Sequence, residues 1–180
     1  MADSKKPLFY GWKIVFAILA QLTFTSGLSF YNHAIYLNAL AANPNFDVQT
    51  ASFAVSLFFL SGGVTGLWVA KWVQDYDPRI CISAGAVISC LALSSLAFVQ
   101  EIWQLYLAFI LFGIGFSASS LIPATTLVTR WFHRKRAMAL SIASTGLSLG
   151  GVILTPLCVL LVKSMGFEFS VPFMGLLYII

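Results

Sequence analysis

Charged side chains are scarce in this sequence. They make up 9% of its 180 residues, whereas 59% of the residues are hydrophobic. An ordinary soluble domain carries about 25% charged residues, because polar groups are needed to cover its surface. The shortage of charge therefore excludes an ordinary soluble domain. It predicts an integral membrane protein whose main partner is the lipid bilayer.

The sequence also lacks the residue patterns of common catalytic and metal sites. No Asp or Glu lies within an apolar run, no phosphate-binding glycine loop is present, and His33 and His133 belong to opposite ends of the predicted helices. The three cysteines lie inside apolar runs without a CxxC pair, and we expect them to be buried and unpaired: Cys81, Cys90 and Cys158. We therefore expect no enzymatic activity, no cofactor and no metal site.

Six apolar runs are present, and each is long enough, or nearly so, to cross a bilayer as a helix. Crossing the hydrocarbon core takes roughly 20 helical residues. We predict an all-α bundle over residues 12–180, preceded by a cytoplasmic segment at residues 1–11, with helices over residues 12–36, 52–73, 80–99, 102–132, 137–162 and 169–180. The last helix would be only about 18 Å long, against a core of about 30 Å. We therefore expect this helix to be incomplete and further polypeptide to follow Ile180.

The connections between these runs contain signals for helix ends. Asp47 and Asp77 are predicted N-caps of the second and third helices, and Pro78 suits the first helical position. Gly166 predicts the end of the fifth helix. Pro123 lies inside the fourth run, where proline predicts a kink.

Lysine and arginine are distributed unevenly between alternate connections. Only Lys163 lies on one side, and nine lie on the other: Lys5, Lys6, Lys13, Lys71, Arg79, Arg130, Arg134, Lys135 and Arg136. Basic residues accumulate in cytoplasmic loops. This pattern predicts a multi-pass protein, in the cell membrane, with a cytoplasmic N-terminus. It also accounts for the net charge of +4 without a nucleic-acid partner.

The first helix carries a stripe of polar residues. Gln21, Thr25, Ser29 and Asn32 are spaced by four, four and three residues, so they share one helix face, with His33 beside them. Polar groups at membrane depth need partners or water, and Gln, Asn and His are poor packing residues, so we predict that this face lines a cavity. A free imidazole titrates at about pH 6.5, which suits proton coupling. An equally good interpretation of His33 is an interfacial residue that touches headgroups or water.

Small polar residues form similar stripes on the fourth and fifth helices. Here we favour close helix packing, which the small-xxx-small pair Gly146 and Gly150 supports. The serines of these stripes nevertheless remain candidates for a cavity lining. The complete set of substrate-cavity candidates is Gln21, Thr25, Ser29, Asn32, His33, Ser117, Ser120, Ser144 and Ser148.

Two segments carry a family resemblance. Residues 9–15 read FYGWKIV, and residues 130–139 read RWFHRKRAMA, followed by Gly146 and Gly150. The segment at residues 9–15 resembles the start of bacterial transporters of the monocarboxylate and oxalate/formate type within the major facilitator superfamily. The segment at residues 130–150 resembles the WFxxRRxxAxxxxxxGxxxG pattern of that group. The resemblance covers essentially the whole chain and implies the N-terminal six-helix half of such a transporter.

The resemblance implies alternating access, in which two six-helix halves rock around a central site. It also implies a cytoplasmic gate formed by Asp75, Arg79, Arg134, Lys135 and Arg136. Anchoring of the cytoplasmic loops explains part of the same charge. The second connection departs from the family pattern, because Gln74 stands where an acid is usual and Asp75 where a base is usual, unless the acid has shifted by one place to Asp75. Phe109 stands where proton-coupled drug exporters carry an arginine, which counts against that branch.

Our leading hypothesis is a secondary transporter for a small organic solute, with a monocarboxylate or similar anion implied by the resemblance, coupled to protons or a counter-solute. A C-terminal six-helix half is then expected in the full chain. The alternative is a six-helix membrane protein without transport activity, such as a truncated isoform or an assembly partner. A channel, whose flux does not saturate, is a third possibility.

Overall fold

The computed structural model describes residues 10–41 and 46–179. Every regular element in these residues is helical. The α-helices are α1 Tyr10–Thr25, α2 His33–Ala41, α3 Val48–Asp75, α4 Pro78–Ser95, α5 Ile102–Ser119, α6 Leu121–Trp131, α7 Arg136–Leu149, α8 Thr155–Met165 and α9 Phe167–Leu177. A π-helical segment, Ser26–Tyr31, joins α1 to α2, and a further one, Gly150–Leu154, joins α7 to α8.

Five helical stretches in the described residues are long and apolar enough to cross a membrane. We call them spans 1 to 5: Tyr10–Leu40, Val48–Asp75, Pro78–Phe98, Ile102–Trp131 and Arg136–Met165. A shorter apolar helix, α9, follows them. The all-α membrane fold predicted from the sequence is confirmed, and it is compatible with a six-helix half-bundle. Most of the predicted N-terminal segment, residues 1–9, lies outside the described residues.

The helix ends form where capping side chains supply hydrogen bonds. The Asp47 carboxylate accepts a 2.7 Å bond from the N–H of Val48, and the Asp77 carboxylate accepts a 3.0 Å bond from the N–H of Arg79. These bonds satisfy N–H groups that have no intrahelical partner. Gly166, with φ of 79°, ends α8 in a backbone conformation that L side chains rarely adopt. The predicted caps and stop signal are confirmed.

In the described residues, the spans bury their apolar faces in two large clusters and one small one, and turn the rest outward. One cluster, near the connections at residues 76–77 and 132–135, contains Val15, Leu22 and Val128. The other, toward the opposite ends of the spans, contains Phe58 and Phe112. Large apolar side chains remain exposed on the outside, among them Leu67, Trp68, Phe98 and Val152. An outer surface of this kind is expected of a protein whose solvent is lipid.

Glycines allow two pairs of spans to approach backbone to backbone. In the contact of spans 3 and 4, a Cβ added to Gly85 would lie 2.7 Å from the carbonyl oxygen of Gly115. In the contact of spans 1 and 5, a Cβ added to Gly146 would overlap the carbonyl oxygen of Leu19. Gly150 makes a similarly close approach to span 1. The packing role predicted for Gly146 and Gly150 is confirmed.

The two π-helical segments pack against each other at the contact of spans 1 and 5. A Cβ added to Gly27 would lie 2.8 Å from the carbonyl oxygen of Gly150, so the backbones of the two segments almost touch. Just before this point, the hydroxyl of Ser26 donates a 2.8 Å hydrogen bond to the carbonyl of Leu147. Both long spans therefore change their helical winding at one common level.

Candidate functional site

The polar stripe of span 1 lies inside the half-bundle. Thr25, Ser29 and Asn32 are buried, and Gln21 is partly buried. The Tyr178 hydroxyl, near the end of α9, is hydrogen-bonded to the Ser29 hydroxyl and donates a 3.3 Å bond to the carbonyl of Thr25. The stripe therefore faces protein partners from other helices. Nothing in the sequence around Tyr178 distinguishes it from an interfacial tyrosine, so only the structure identifies it as a partner of the stripe.

Span 4 breaks at Ser120, where the backbone leaves the helical region at φ −92° and ψ −147°. An unbroken helix would bond the carbonyl of residue 119 to the N–H of residue 123. Pro123 has no N–H, so it leaves the Ser119 carbonyl without this donor. The side-chain amide of Gln21 donates to that carbonyl, and also donates a 3.0 Å bond to the Thr25 hydroxyl. Gln21 therefore repairs the proline break from a neighbouring span.

Exchange of Gln21 for leucine is expected to lower the free energy of unfolding by about 1 kcal/mol, because the Ser119 carbonyl then lacks a donor at membrane depth. The same exchange in a Pro123→Ala background should cost less, since alanine at this position supplies the missing N–H. The free energies of unfolding from detergent titration give the double-mutant cycle. Gln74→Leu, at an exposed site, is the control and should change neither background. Equal losses in both backgrounds would rule out this explanation of Gln21.

Asn32 and His33 follow the π-helical segment of span 1 and are enclosed by neighbouring helices. Neither side-chain amide atom of Asn32 and neither ring nitrogen of His33 has a hydrogen-bond partner among the described residues. The imidazole packs edge-on against the ring of Phe58, with centroids 4.4 Å apart, and lies 6.2 Å from the ring of Phe109. His33 is only 7% exposed. Its position is therefore an aromatic enclosure within the bundle.

A cavity of about 380 Å³ lies between spans 2 and 4. Gly62, Gly63 and Gly66 form its wall on span 2, where the missing side chains leave room. A Cβ added to Gly63 would meet no atom within 4 Å. Ser117 and Ser120 line the opposite wall, at the break of span 4. The structure therefore brings these two predicted residues together at one hollow.

The two candidates on span 5 lie elsewhere. Ser144 is partly buried and Ser148 is exposed, and neither belongs to the lining of the cavity between spans 2 and 4. Phe109 is fully buried in the core, next to Phe58 and His33. In the described residues, no three His, Cys, Asp or Glu side chains are grouped closely enough to hold a metal ion.

The predicted gate residues lie at the connections between spans 2 and 3 and between spans 4 and 5. All five are exposed, and no ion pair joins them to another part of the chain that the structure describes: Asp75, Arg79, Arg134, Lys135 and Arg136. Close to these connections, Arg130 of span 4 bonds to the end of span 2. Its guanidinium donates a 2.7 Å bond to the carbonyl of Val73 and a 3.2 Å bond to that of Tyr76.

From the sequence, Arg130 is only one of the nine basic residues predicted to lie on the cytoplasmic side. The sequence did contain a signal for a capping role. The final carbonyls of a helix such as α3 have no intrahelical partner, and a nearby arginine can donate hydrogen bonds to them. The partners themselves are 57 and 54 residues away in the chain. Only the packing of span 4 beside span 2 identifies them.

Comparison with known proteins finds transport proteins. A family model described as Major Facilitator Superfamily matches residues 9–180. An "MFS-type transporter" of Gibberella moniliformis is 29% identical over 90% of this chain and 37% of its own length. "Probable transporter MCH2" of Saccharomyces cerevisiae is 30% identical over 80% of this chain and 31% of its own length. "Monocarboxylate transporter 7" of Homo sapiens is 22% identical over 93% of this chain and 32% of its own length. The chain spans about a third of the length of these relatives.

Proposed function

This chain belongs to the major facilitator superfamily, and on that premise we propose that the full-length protein is a secondary active transporter. It moves a small organic solute, a monocarboxylate or similar anion, by alternating access. The movement is coupled to protons or to a counter-solute. The observation that carries the proposal is the family match over residues 9–180, together with the five membrane-length helices found in the described residues. The relative named as a monocarboxylate transporter supports the substrate class.

The proposed architecture joins this half-bundle to another six-helix half. The length of the relatives supports a further half, because the chain covers 37% of the first of them. The solute would bind between the halves, near the middle of the membrane. The cavity between spans 2 and 4 is our candidate for part of this site, because it lies between two spans and has serine side chains on one wall. We place the N-terminus in the cytoplasm.

The gate residues would act between the two halves. Asp75 and Arg79 are exposed and without ion-pair partners in the part of the chain that the structure describes, as are the basic residues at 134–136. Charges of this kind can form ion pairs with the other half when the transporter is open to one side of the membrane. The same pairs can separate when it is open to the opposite side. Arg130 has a different role, since its bonds to Val73 and Tyr76 hold spans 2 and 4 together as one unit.

Uptake by liposomes containing the full-length protein tests this function. Radiolabelled pyruvate and lactate are expected to accumulate above their external concentration under a pH gradient or an opposing solute gradient, with a rate that saturates. Liposomes without protein provide the background. A rate that stays linear with concentration would indicate a channel. Absence of uptake for every monocarboxylate tried would overturn the proposed substrate class.

A further inference from the structure

A helix begins inside the membrane at the wall of the cavity between spans 2 and 4. Because span 4 breaks at Ser120, α6 starts at Leu121, and Ser120, Leu121 and Ile122 all line this cavity. The first N–H groups of a helix have no intrahelical partner, and this end of the helix dipole is positive. Such an end attracts an anionic group.

The preceding helix would oppose this effect if its last carbonyls were free. α5 ends at Ser119, directly before the break, and a helix C-terminus carries partial negative charge. One of these carbonyls has a donor from another span. Gln21 donates to the carbonyl of Ser119, the last residue of α5, whereas the Ser119 hydroxyl bonds to the carbonyl of Gly115, which lies inside the helix. Gln21 therefore reduces the negative charge that the end of α5 presents beside the positive end of α6.

Two serine hydroxyls at the same wall have no partner of their own. Ser117 is 7% exposed and Ser120 is 9% exposed, so each is more than nine-tenths buried. Ser120 occupies the N-cap position without a side-chain capping bond, and the hydroxyls of both residues are free of hydrogen bonds to any other described residue. Both line the cavity. Two hydroxyls without a protein partner on one wall of a hollow can both donate to a ligand bound there.

The remainder of the cavity is apolar. Phe58, Phe59 and Phe116 lie around it, and the glycines of span 2 provide its space. No lysine or arginine is among the described residues that line it. The lining therefore combines one polar wall, which offers donors and a positive helix end, with apolar surroundings. This combination suits a small amphipathic anion.

We infer that this cavity binds the carboxylate of a small organic acid, held by the hydroxyls of Ser117 and Ser120 and by the first N–H groups of α6. The apolar part of the acid then packs against the aromatic side chains. This site deepens the proposed function and rests on it for the identity of the ligand as a transported solute. It explains how a half-bundle whose described cavity lining has no basic side chain recognises an anion.

A matched pair of substitutions tests the anionic character of the ligand. Ser120→Asp places a carboxylate where the ligand's carboxylate would bind, whereas Ser120→Asn has the same shape without the charge. Both residues are good N-caps, so both variants should fold. The probe is pyruvate binding to the purified full-length protein, measured by calorimetry. We expect Ser120→Asp to bind pyruvate at least about tenfold more weakly than Ser120→Asn, because two like charges would share one site.

A further pair of variants tests the location. Gly63→Leu places a side chain in the open space of the cavity, and it should abolish pyruvate binding while the protein stays folded. Ala84→Leu adds the same atoms on the exposed face of span 3, and it should bind pyruvate as the wild type does. Retained binding in Gly63→Leu would overturn the inferred site.

The outcomes separate this inference from the proposed function. If the wild type takes up pyruvate and the two Ser120 variants bind it equally well, the carboxylate site is wrong and the transport function stands. If pyruvate binds with the predicted difference but is not taken up, the site stands and the transport function fails. If the wild type neither binds nor transports any monocarboxylate, both are wrong.

Discussion

Replacement of Gly115 by leucine is expected to prevent the half-bundle from folding. An added Cβ would overlap the hydroxyl oxygen of Ser89, and it would lie 2.7 Å from the backbone nitrogen of Ser89 and 2.9 Å from the carbonyl oxygen of Gly85. Two of these three atoms are backbone, so rotation of a side chain cannot relieve the clash. Spans 3 and 4 would have to separate. We expect the free energy of unfolding to fall by more than about 3 kcal/mol, beyond the usual range for an overpacked core.

The matched control for this prediction is Gly63→Leu, on span 2. It introduces the same side chain at a glycine where a Cβ meets no atom within 4 Å. Yield of monodisperse protein in detergent and its unfolding transition are the measurements. We expect Gly63→Leu to behave as the wild type in both, and Gly115→Leu to be aggregated or degraded. Normal folding of Gly115→Leu would show that the contact of spans 3 and 4 is not as close as described.

Chemical labelling from outside the cell is expected to distinguish the two ends of the spans completely. His133 and Gln100 are both exposed, and they lie at opposite ends of span 4. The proposed orientation places Gln100 outside and His133 in the cytoplasm. A membrane-impermeant maleimide should therefore label Gln100→Cys in intact cells. It should label His133→Cys only after the membrane is permeabilised.

The native cysteines give little background in this experiment. Cys81, Cys90 and Cys158 are all buried in the described bundle, and the protein without added cysteine is the control. The reverse labelling pattern would show that the orientation is inverted. Labelling of both positions from the same side would show that span 4 does not cross the membrane. Either result would require a new assignment of the gate.

Much of the fold could be predicted because it depends on local chemistry. Asp47 and Asp77 cap helices because their carboxylates bond to N–H groups one and two residues away. Pro123 breaks span 4 because it lacks an N–H, wherever the helix packs. The resemblance at residues 9–15 and 130–150 led to the family that the comparison confirms. None of these inferences depended on which helices are neighbours in the folded protein.

The candidate site could be predicted only in part, since its contacts join distant segments. The spacing of Gln21, Thr25 and Ser29 predicted a shared face, but not that Tyr178, which is 149 residues from Ser29, is its partner. Ser117 and Ser120 were predicted as candidates, but the cavity that they line was not predicted. Gly62, Gly63 and Gly66 leave the space for that cavity on another span, and they had no role in the predictions from sequence.

Composition alone determined that this chain resides in lipid, because a chain with 9% charged residues cannot cover a folded domain with polar groups. The order of apolar runs and the basic residues between them determined the helices and predicted their orientation. Only the tertiary structure decided that Gln21 satisfies the Ser119 carbonyl, that Arg130 holds spans 2 and 4 together, and that a helix end faces a hollow. The physical reason is the distance along the chain over which each interaction acts. Hydrophobicity and capping act within a few residues of the chain, whereas a cavity and a bridging hydrogen bond exist only after distant helices have packed.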